Sequence, residues 1–445
     1  MASRVILIRH GESSYNEQGI IQGCSDSPFL TRKGSSSARH TGLALKEVEI
    51  NAIYTSSLRR AKETLAEMLS TMYLDSSSHP SIGVLDSLRE IDLTDWAGVS
   101  RSVVKEQFQD DYNSWRQKPH VFQMQNERFP VLDLYDRANL FWREVATQHS
   151  QDNILIISHS GTNRALISTA LGIPPSKYHA LDQSNCGISV LKSDDFSRQT
   201  TQLEFLNLTQ HLGESIPPLK EDRNYLRLLL VRHTETDWNQ QRLFQGQRDI
   251  PLNKIGEYHA AQVADSLKNI RIDLAVSSTL RRPTQTAELI LKHHPGVHLK
   301  KLDELIEMNY GVWQGKSETE IQQNYPGELE EWRTSPMTLQ IKDGESLQQV
   351  WQRVCLAWDS LVENTKSKIF DSRTCLVVSH DVTNRIILCH ILGLSYENFW
   401  SLKQVNGGIS VIDYPLDGGA PVLRSMNIPT EEIDSFISSK VDWNV

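Results

Sequence analysis

The segment Val5-Ile6-Leu7-Ile8-Arg9-His10-Gly11-Glu12 returns 223 residues later as Leu228-Leu229-Leu230-Val231-Arg232-His233-Thr234-Glu235. Other spaced motifs follow in the same order. Asn16 is matched by Asn239, Gln22-Gly23 by Gln245-Gly246, and Ser56-x-Leu58-x-Arg60 by Ser278-x-Leu280-x-Arg282. Glu90 with Trp96-x-Gly98 recurs as Glu307 with Trp313-x-Gly315, and Ser158-His159 as Ser379-His380. The offsets stay between 217 and 223 residues, so the chain is a tandem duplication. Its 445 residues are too many for one core and fit two domains of similar size. The expected division is 1–213 for the first domain, 214–224 for a linker with two prolines and no periodicity, and 225–445 for the second.

A net charge of -9 leaves no excess of Lys and Arg to neutralise a phosphate backbone, so nucleic acid is not expected as a partner. A small anionic substrate needs only a local cluster of positive charge. No apolar run approaches the ~18 residues of a membrane span, so no membrane partner is expected. The chain enters its first strand directly after Met1-Ala2-Ser3-Arg4, which predicts neither signal nor transit peptide. Five cysteines, Cys24, Cys186, Cys355, Cys375 and Cys389, form no C-x-x-C pair. Neither a disulfide framework nor a zinc site is expected, and the reading is a reduced, cytoplasmic enzyme with inert thiols. Oligomeric state is left open by the sequence.

Each half alternates short apolar runs with helical patterns. Val5 to Ile8, Ile154 to Ile157, Leu228 to Val231 and Cys375 to Val378 read as strands buried on both faces of a largely parallel sheet. Thr31 and Asn253 are predicted N-caps of the helices that follow the first strand of each half. The expected fold class is α/β: two tandem three-layer α/β/α domains, each with a mostly parallel central sheet. Ligands in such sheets sit at the carboxyl ends of the strands. His10 and His159 in one half, and His233 and His380 in the other, each follow a strand, and each pair is expected to converge on one sheet edge.

Arg9 and Arg232 precede the first histidines, and Arg60 and Arg282 begin the helix after a further strand. Guanidinium forks match the oxygen spacing of tetrahedral oxyanions. Two histidines and two arginines without metal-ligand spacing suggest phosphoryl transfer through a histidine, with no metal and no cofactor. The leaving alkoxide needs a proton, and Glu90 and Glu307 are the repeated carboxyl candidates. Like-charge repulsion from bound phosphate is expected to raise their pKa.

Arg-His-Gly-Glu, Ser-x-Leu-x-Arg-Ala, Glu…Trp-x-Gly and Ser-His together resemble the histidine phosphatase superfamily, in its phosphoglycerate mutase-like branch, over nearly the whole chain and twice. The resemblance implies a metal-independent phosphohistidine mechanism. It implies His10 and His233 as nucleophiles and Glu90 and Glu307 as general acids. Arg9, Arg60 and His159 would form one phosphate pocket and Arg232, Arg282 and His380 the other, with Asn16 and Asn239 also contacting phosphate. The halves depart from each other in places. Thr234 stands for Gly11, Pro283 for Ala61 and Gly311 for Thr94; the first half has no counterpart of Gly344-Glu345-Ser346. Asp381 follows the second histidine of the second half, and either favours a positively charged substrate group or points away.

Between acid and second histidine lie 69 residues in the first half and 73 in the second, the compact spacing of phosphatases rather than of mutases. The expected activity is hydrolysis of a small phosphorylated metabolite. A 2,3-bisphosphoglycerate-dependent mutase is the alternative, and a phosphate-ester-binding module with one or both sites inactive the second. Tandem pairs of this kind resemble the carboxyarabinitol 1-phosphate phosphatase group of plants and cyanobacterial relatives, which implies a sugar or sugar-acid phosphate. Two further expectations concern access to the sites. The stretch 107–130, with Tyr112, Trp115, Phe122, Met124 and Phe129, either reads the substrate or covers the sheet edge. Residues 428–445 have the look of a short helix that acts as a partial lid.

Overall fold

The computed structural model describes residues 3–74, 79–125, 127–149, 151–194, 196, 201–221 and 223–430. The expected lid falls almost wholly on 431–445, outside the described residues. Two compact units divide between Pro217 and Pro218. No helix among the described residues is long and apolar enough to cross a membrane.

In the first unit the strands are β1 (Ser3–Arg9), β2 (Ala52–Ser56), β3 (Ile82–Leu85), β4 (Asn153–Ser158), β5 (Ile188–Ser193) and β6 (Gln202–Leu208). They lie in the order β3-β2-β4-β1-β5-β6. The first four run parallel, β5 reverses, and β6 reverses again. The second unit repeats this with β7 (Tyr225–Arg232), β8 (Leu274–Ser278), β9 (Leu299–Leu302), β10 (Arg373–Ser379), β11 (Ile409–Pro415) and β12 (Val422–Ile428). Its order is β9-β8-β10-β7-β11-β12. Helices lie on both sides of each sheet, so the expected α/β/α class is what is found.

The central strands have no alternating pattern because both faces are covered. Val5 to Ile8 and Ile154 to Ile157 are fully inaccessible to solvent, as are Leu228 and Leu229. Helices start where their capping residues stand. Thr31 accepts from the Gly34 N–H before the Arg32–Ala44 helix, and Asn253 does the same for Gly256 before Lys254–Leu267. A glycine is required at both of those positions by close approach. A Cβ on Gly34 would meet the Glu12 carbonyl oxygen at 2.1 Å, and one on Gly256 the Glu235 oxygen at 2.0 Å.

The strand register positions the site. Arg9 pairs with Ser158 across the parallel β1/β4 ladder, and Arg232 with Ser379 across β7/β10. The next residue of each strand is a histidine, so the two imidazoles of a unit must emerge side by side. Trp358 locks the Leu347–Lys366 helix to the second sheet, being fully buried and donating from Nε1 to the Tyr414 hydroxyl on β11 at 2.8 Å. Trp358→Ala is expected to cost about 3–5 kcal/mol, and Trp358→Phe markedly less, as read by urea unfolding.

Candidate active sites

His10 continues the ladder, its N–H donating to the Ser158 carbonyl at 2.9 Å, and His233 does the same to Ser379 at 2.9 Å. His159 and His380 are the N-caps of the Ser160–Leu171 and Asp381–Leu392 helices. Ring centroids lie 5.2 Å apart for His10 and His159, and 5.3 Å for His233 and His380. His10 Nδ1 is 2.7 Å from the Gly11 carbonyl oxygen, and His233 Nδ1 is 2.8 Å from that of Thr234. A carbonyl only accepts, so the proton is assigned to Nδ1 and the lone pair to Nε2. Burial, and then the adjacent arginines, hold both imidazoles well below their usual pKa. Each is therefore a neutral ring with its basic nitrogen turned toward a cation.

That cation is Arg60 in one unit and Arg282 in the other. Arg60 Nε donates to His10 Nε2 at 3.3 Å, and Arg282 Nε to His233 Nε2 at 3.2 Å. The rest of each fork is pinned to backbone: Arg60 to the Ser25 and Gly23 carbonyls at 2.7 and 3.0 Å, Arg282 to those of Arg248 and Gly246 at 2.8 and 2.7 Å. Gly23 (φ +48°) and Gly246 (φ +52°) give those loops a turn that L side chains rarely adopt. Arg9 Nη1 donates to the Gln183 carbonyl and Arg232 Nη1 to that of Gln404, each at 2.7 Å. Arg9 Nε is buried and has no hydrogen-bond partner.

The second histidines are held by serines of the Ser-x-Leu-x-Arg motif. His159 Nε2 and Ser56 Oγ are 2.7 Å apart, and His380 Nε2 and Ser278 Oγ 2.8 Å. Nδ1 of each ring is buried without a partner, as is expected of a group awaiting an oxyanion. Asn16 and Asn239 close capping boxes with Ser13 and Thr236, which commit their Oδ1 atoms as acceptors. The amide nitrogen is then the donor end left for a ligand.

Glu90 accepts from the N–H groups of Ile91 at 2.9 Å and of Gly161 and Thr162 at 3.2 Å each, on the first turn of the helix that His159 caps. Glu307 accepts likewise from Met308 at 2.8 Å and Val382 at 3.2 Å. The Glu307 pKa is raised first by burial and then by Asp381, before any phosphate arrives. The expected cause, repulsion from the substrate, is thus not the one already built into the protein.

All twelve sequence-predicted residues stand in two equivalent constellations, six in each. Asp381 neither points away nor lies open to a cationic substrate. Its carboxylate is 3.0 Å from Arg385 and 3.6 Å from Arg232. In the first unit Ser160 takes its place, and Arg164, the counterpart of Arg385, has Asp182 at 3.6 Å instead. Of the aromatic insert, Trp115 and Phe122 pack against Trp96, and Trp115 also meets Tyr178. Trp332 does the same with Trp313 and Phe399 in the second unit. In the first unit Phe122 is buried under these rings, whereas Phe129 of the same insert is exposed. Two asparagines were missed: Asn185 Nδ2 donates to the His10 carbonyl at 2.8 Å and Asn406 Nδ2 to that of His233 at 3.0 Å. The repeat of Gln183-x-Asn185-x-Gly187 as Gln404-x-Asn406-x-Gly408 was the available signal.

Burial likewise keeps His159 and His380 well below the ordinary pKa. In the unfolded chain all four imidazoles titrate near 6.5, so below that pH the unfolded state binds protons that the folded state refuses. Stability is full above about pH 7 and falls on acidification, by up to ~1.4 kcal/mol per pH unit for each histidine. Urea midpoints of the phosphate-free protein should fall from pH 7 to pH 5, and less steeply in His159→Gln/His380→Gln. Equal slopes would contradict neutral buried rings.

Residues 5–209 and again 228–429 match the histidine phosphatase superfamily (branch 1). The chain is 29% identical to 2-carboxy-D-arabinitol-1-phosphatase of Triticum aestivum, over 96% of this chain and 86% of that protein. Phosphoserine phosphatase 1 of Hydrogenobacter thermophilus is 33% identical over 42% of this chain and 86% of its own. Among solved structures, the alpha-ribazole phosphatase of Shigella flexneri is 27% identical with a TM-score of 0.42, covering 45% of this chain and 96% of its own. With the family matched in each half, the chain belongs to the histidine phosphatase superfamily and is a phosphatase with two tandem copies of the family domain.

Proposed function

We propose that both units hydrolyse phosphomonoesters of small sugars or sugar acids through a phosphohistidine, formed on Nε2 of His10 in one and of His233 in the other. The observation that carries this reading is the neutral, buried imidazole whose Nε2 meets an arginine at 3.3 or 3.2 Å, built twice from separate stretches of chain. The lone pair attacks phosphorus as the bond to the ester oxygen breaks, leaving phosphate on nitrogen. Arg9, Arg60, His159 and Asn16 neutralise the phosphoryl oxygens in the first unit; Arg232, Arg282, His380 and Asn239 do so in the second. Glu90 or Glu307 gives its proton to the departing alkoxide. The resulting carboxylate then takes a proton from water, whose oxygen attacks phosphorus and frees the histidine and inorganic phosphate. Burial and Asp381 shift the Glu307 pKa upward, the direction a proton donor requires.

The sugar-acid part of the reading draws on the Triticum aestivum relative, whose likeness runs through both units. The reading of the buried thiols as inert is supported by their surroundings. Burial pushes Cys186, Cys375 and Cys389 up to about 12, far from the thiolate range.

Phosphate release should be compared for wild type, His10→Ala and His233→Ala over sugar phosphates, sugar-acid phosphates and phosphoglycerates. Each substitution is expected to remove on the order of 10³-fold of the activity of its own site. Loss of different substrates in the two variants is the expected result. Full activity in the double variant would overturn the reading. Glu90→Gln and Glu307→Gln should lose on the order of 10²-fold or more on sugar phosphates. The loss on p-nitrophenyl phosphate, whose leaving group needs no proton, should be much smaller. Because no step uses a metal, activity should persist in EDTA; its loss and rescue by a divalent ion would rule the mechanism out.

A further inference from the structure

The two units differ behind the proposed general acid. In the second, Arg353 grips Glu345 with two hydrogen bonds, Nε to Oε1 at 3.2 Å and Nη2 to Oε2 at 3.0 Å. The same carboxylate accepts from the Asn309 N–H at 2.8 Å and from Gln247 Nε2 at 3.2 Å. Arg353 Nη1 holds the carbonyls of Glu304 and Ile306, at 2.9 and 2.8 Å, so the pair braces the segment that leads into Glu307.

The first unit keeps the arginine and lacks the acid. Arg137 Nη2 donates to the carbonyls of Arg89 and Glu90, the counterparts of Ile306 and Glu307. Phe129 stands where Glu345 would, Cys24 replaces Gln247 and Asp92 replaces Asn309. Nε of Arg137 is buried with no hydrogen-bond partner, as is Nε of neighbouring Arg89. Against Arg137 lies a cavity of about 90 Å³, open to solvent and also lined by Asp92, Thr94, Met124, Arg128 and Asp133. Its two acids are engaged with Arg128, Asp92 at 3.4 Å and Asp133 at 2.9 Å, and among the described residues no carboxylate pairs with Arg137.

We propose that this cavity binds a small carboxylate ligand, held on Arg137 as Glu345 is held on Arg353. An arginine fork matches the two oxygens of a carboxylate, and the cavity admits an acid of a few carbons. None of His10, Arg60, His159 or Asn16 lines the cavity, so the site is separate from the proposed phosphate pocket. Its occupant reaches the chemistry indirectly, because Arg137 holds the Glu90 carbonyl at 3.1 Å.

The test is calorimetric titration of malonate into the full chain with inorganic phosphate saturating the catalytic pockets, so no turnover is needed and failure of the proposed hydrolysis leaves the result intact. One equivalent of malonate is expected to bind. Phe129→Glu supplies the missing carboxylate within the chain and should weaken malonate binding at least tenfold. Arg137→Gln should do the same, with thermal unfolding of both variants followed to confirm that they are folded. Absence of malonate binding by the wild type, or undiminished binding by folded Phe129→Glu, would overturn the proposal.

Discussion

A hydrogen bond between the Nδ1 of a histidine and the carbonyl of the residue that follows it decides what each site can do. It holds the imidazole edge-on, at 2.7 Å in one unit and 2.8 Å in the other, and leaves Nε2 as the only basic nitrogen. The bond forms because the histidine is the first residue past a buried parallel strand, where the chain turns and its next carbonyl folds back. Everything else in the site is arranged around that nitrogen. An arginine pinned by two backbone carbonyls faces it, and a second histidine stands beside it because the neighbouring strand ends in register.

Much of this was legible in the sequence for a physical reason. Strands buried on both faces cannot alternate, so their unbroken apolar runs stand out, and a polar residue directly after such a run lies at a sheet edge. Duplication then separated residues that chemistry needs from residues that merely fit. His10, Arg60 and His159 each have a partner in the other half; Arg59 is repeated too, as Arg281, but its exposed ion pair with Glu63 is not, because Gln285 stands there. The capped helices at Thr31 and Asn253 were equally readable, since a capping side chain acts over three residues.

What escaped the sequence depended on groups that carry no residue identity or on distant pairings. The Arg60 fork is held by main-chain carbonyls of Gly23 and Ser25, which any residue would supply. The neutralisation of Asp381 required knowing that Arg232, far off in the chain, ends beside it. The aromatic insert allowed two readings because a ring that covers a sheet and a ring that lines a pocket have the same composition. In the structure Trp115 and Phe122 pack on Trp96 and on each other. The absence of Gly344-Glu345-Ser346 from the first half was visible, but not the unpartnered Arg137 Nε it leaves behind.

Pinned arginines also bear on the end of the reaction. Arg60 and Arg282 reach their working positions without any ligand, since backbone carbonyls hold them there. A pocket prepared in this way pays little reorganisation to receive a tetrahedral anion, and it makes no distinction between the phosphoryl group of a substrate and free phosphate. On the proposed chemistry, the ion released last is the one the empty pocket is best shaped to keep. On that chemistry free phosphate competes with the substrate for the same prepared arginine in each unit.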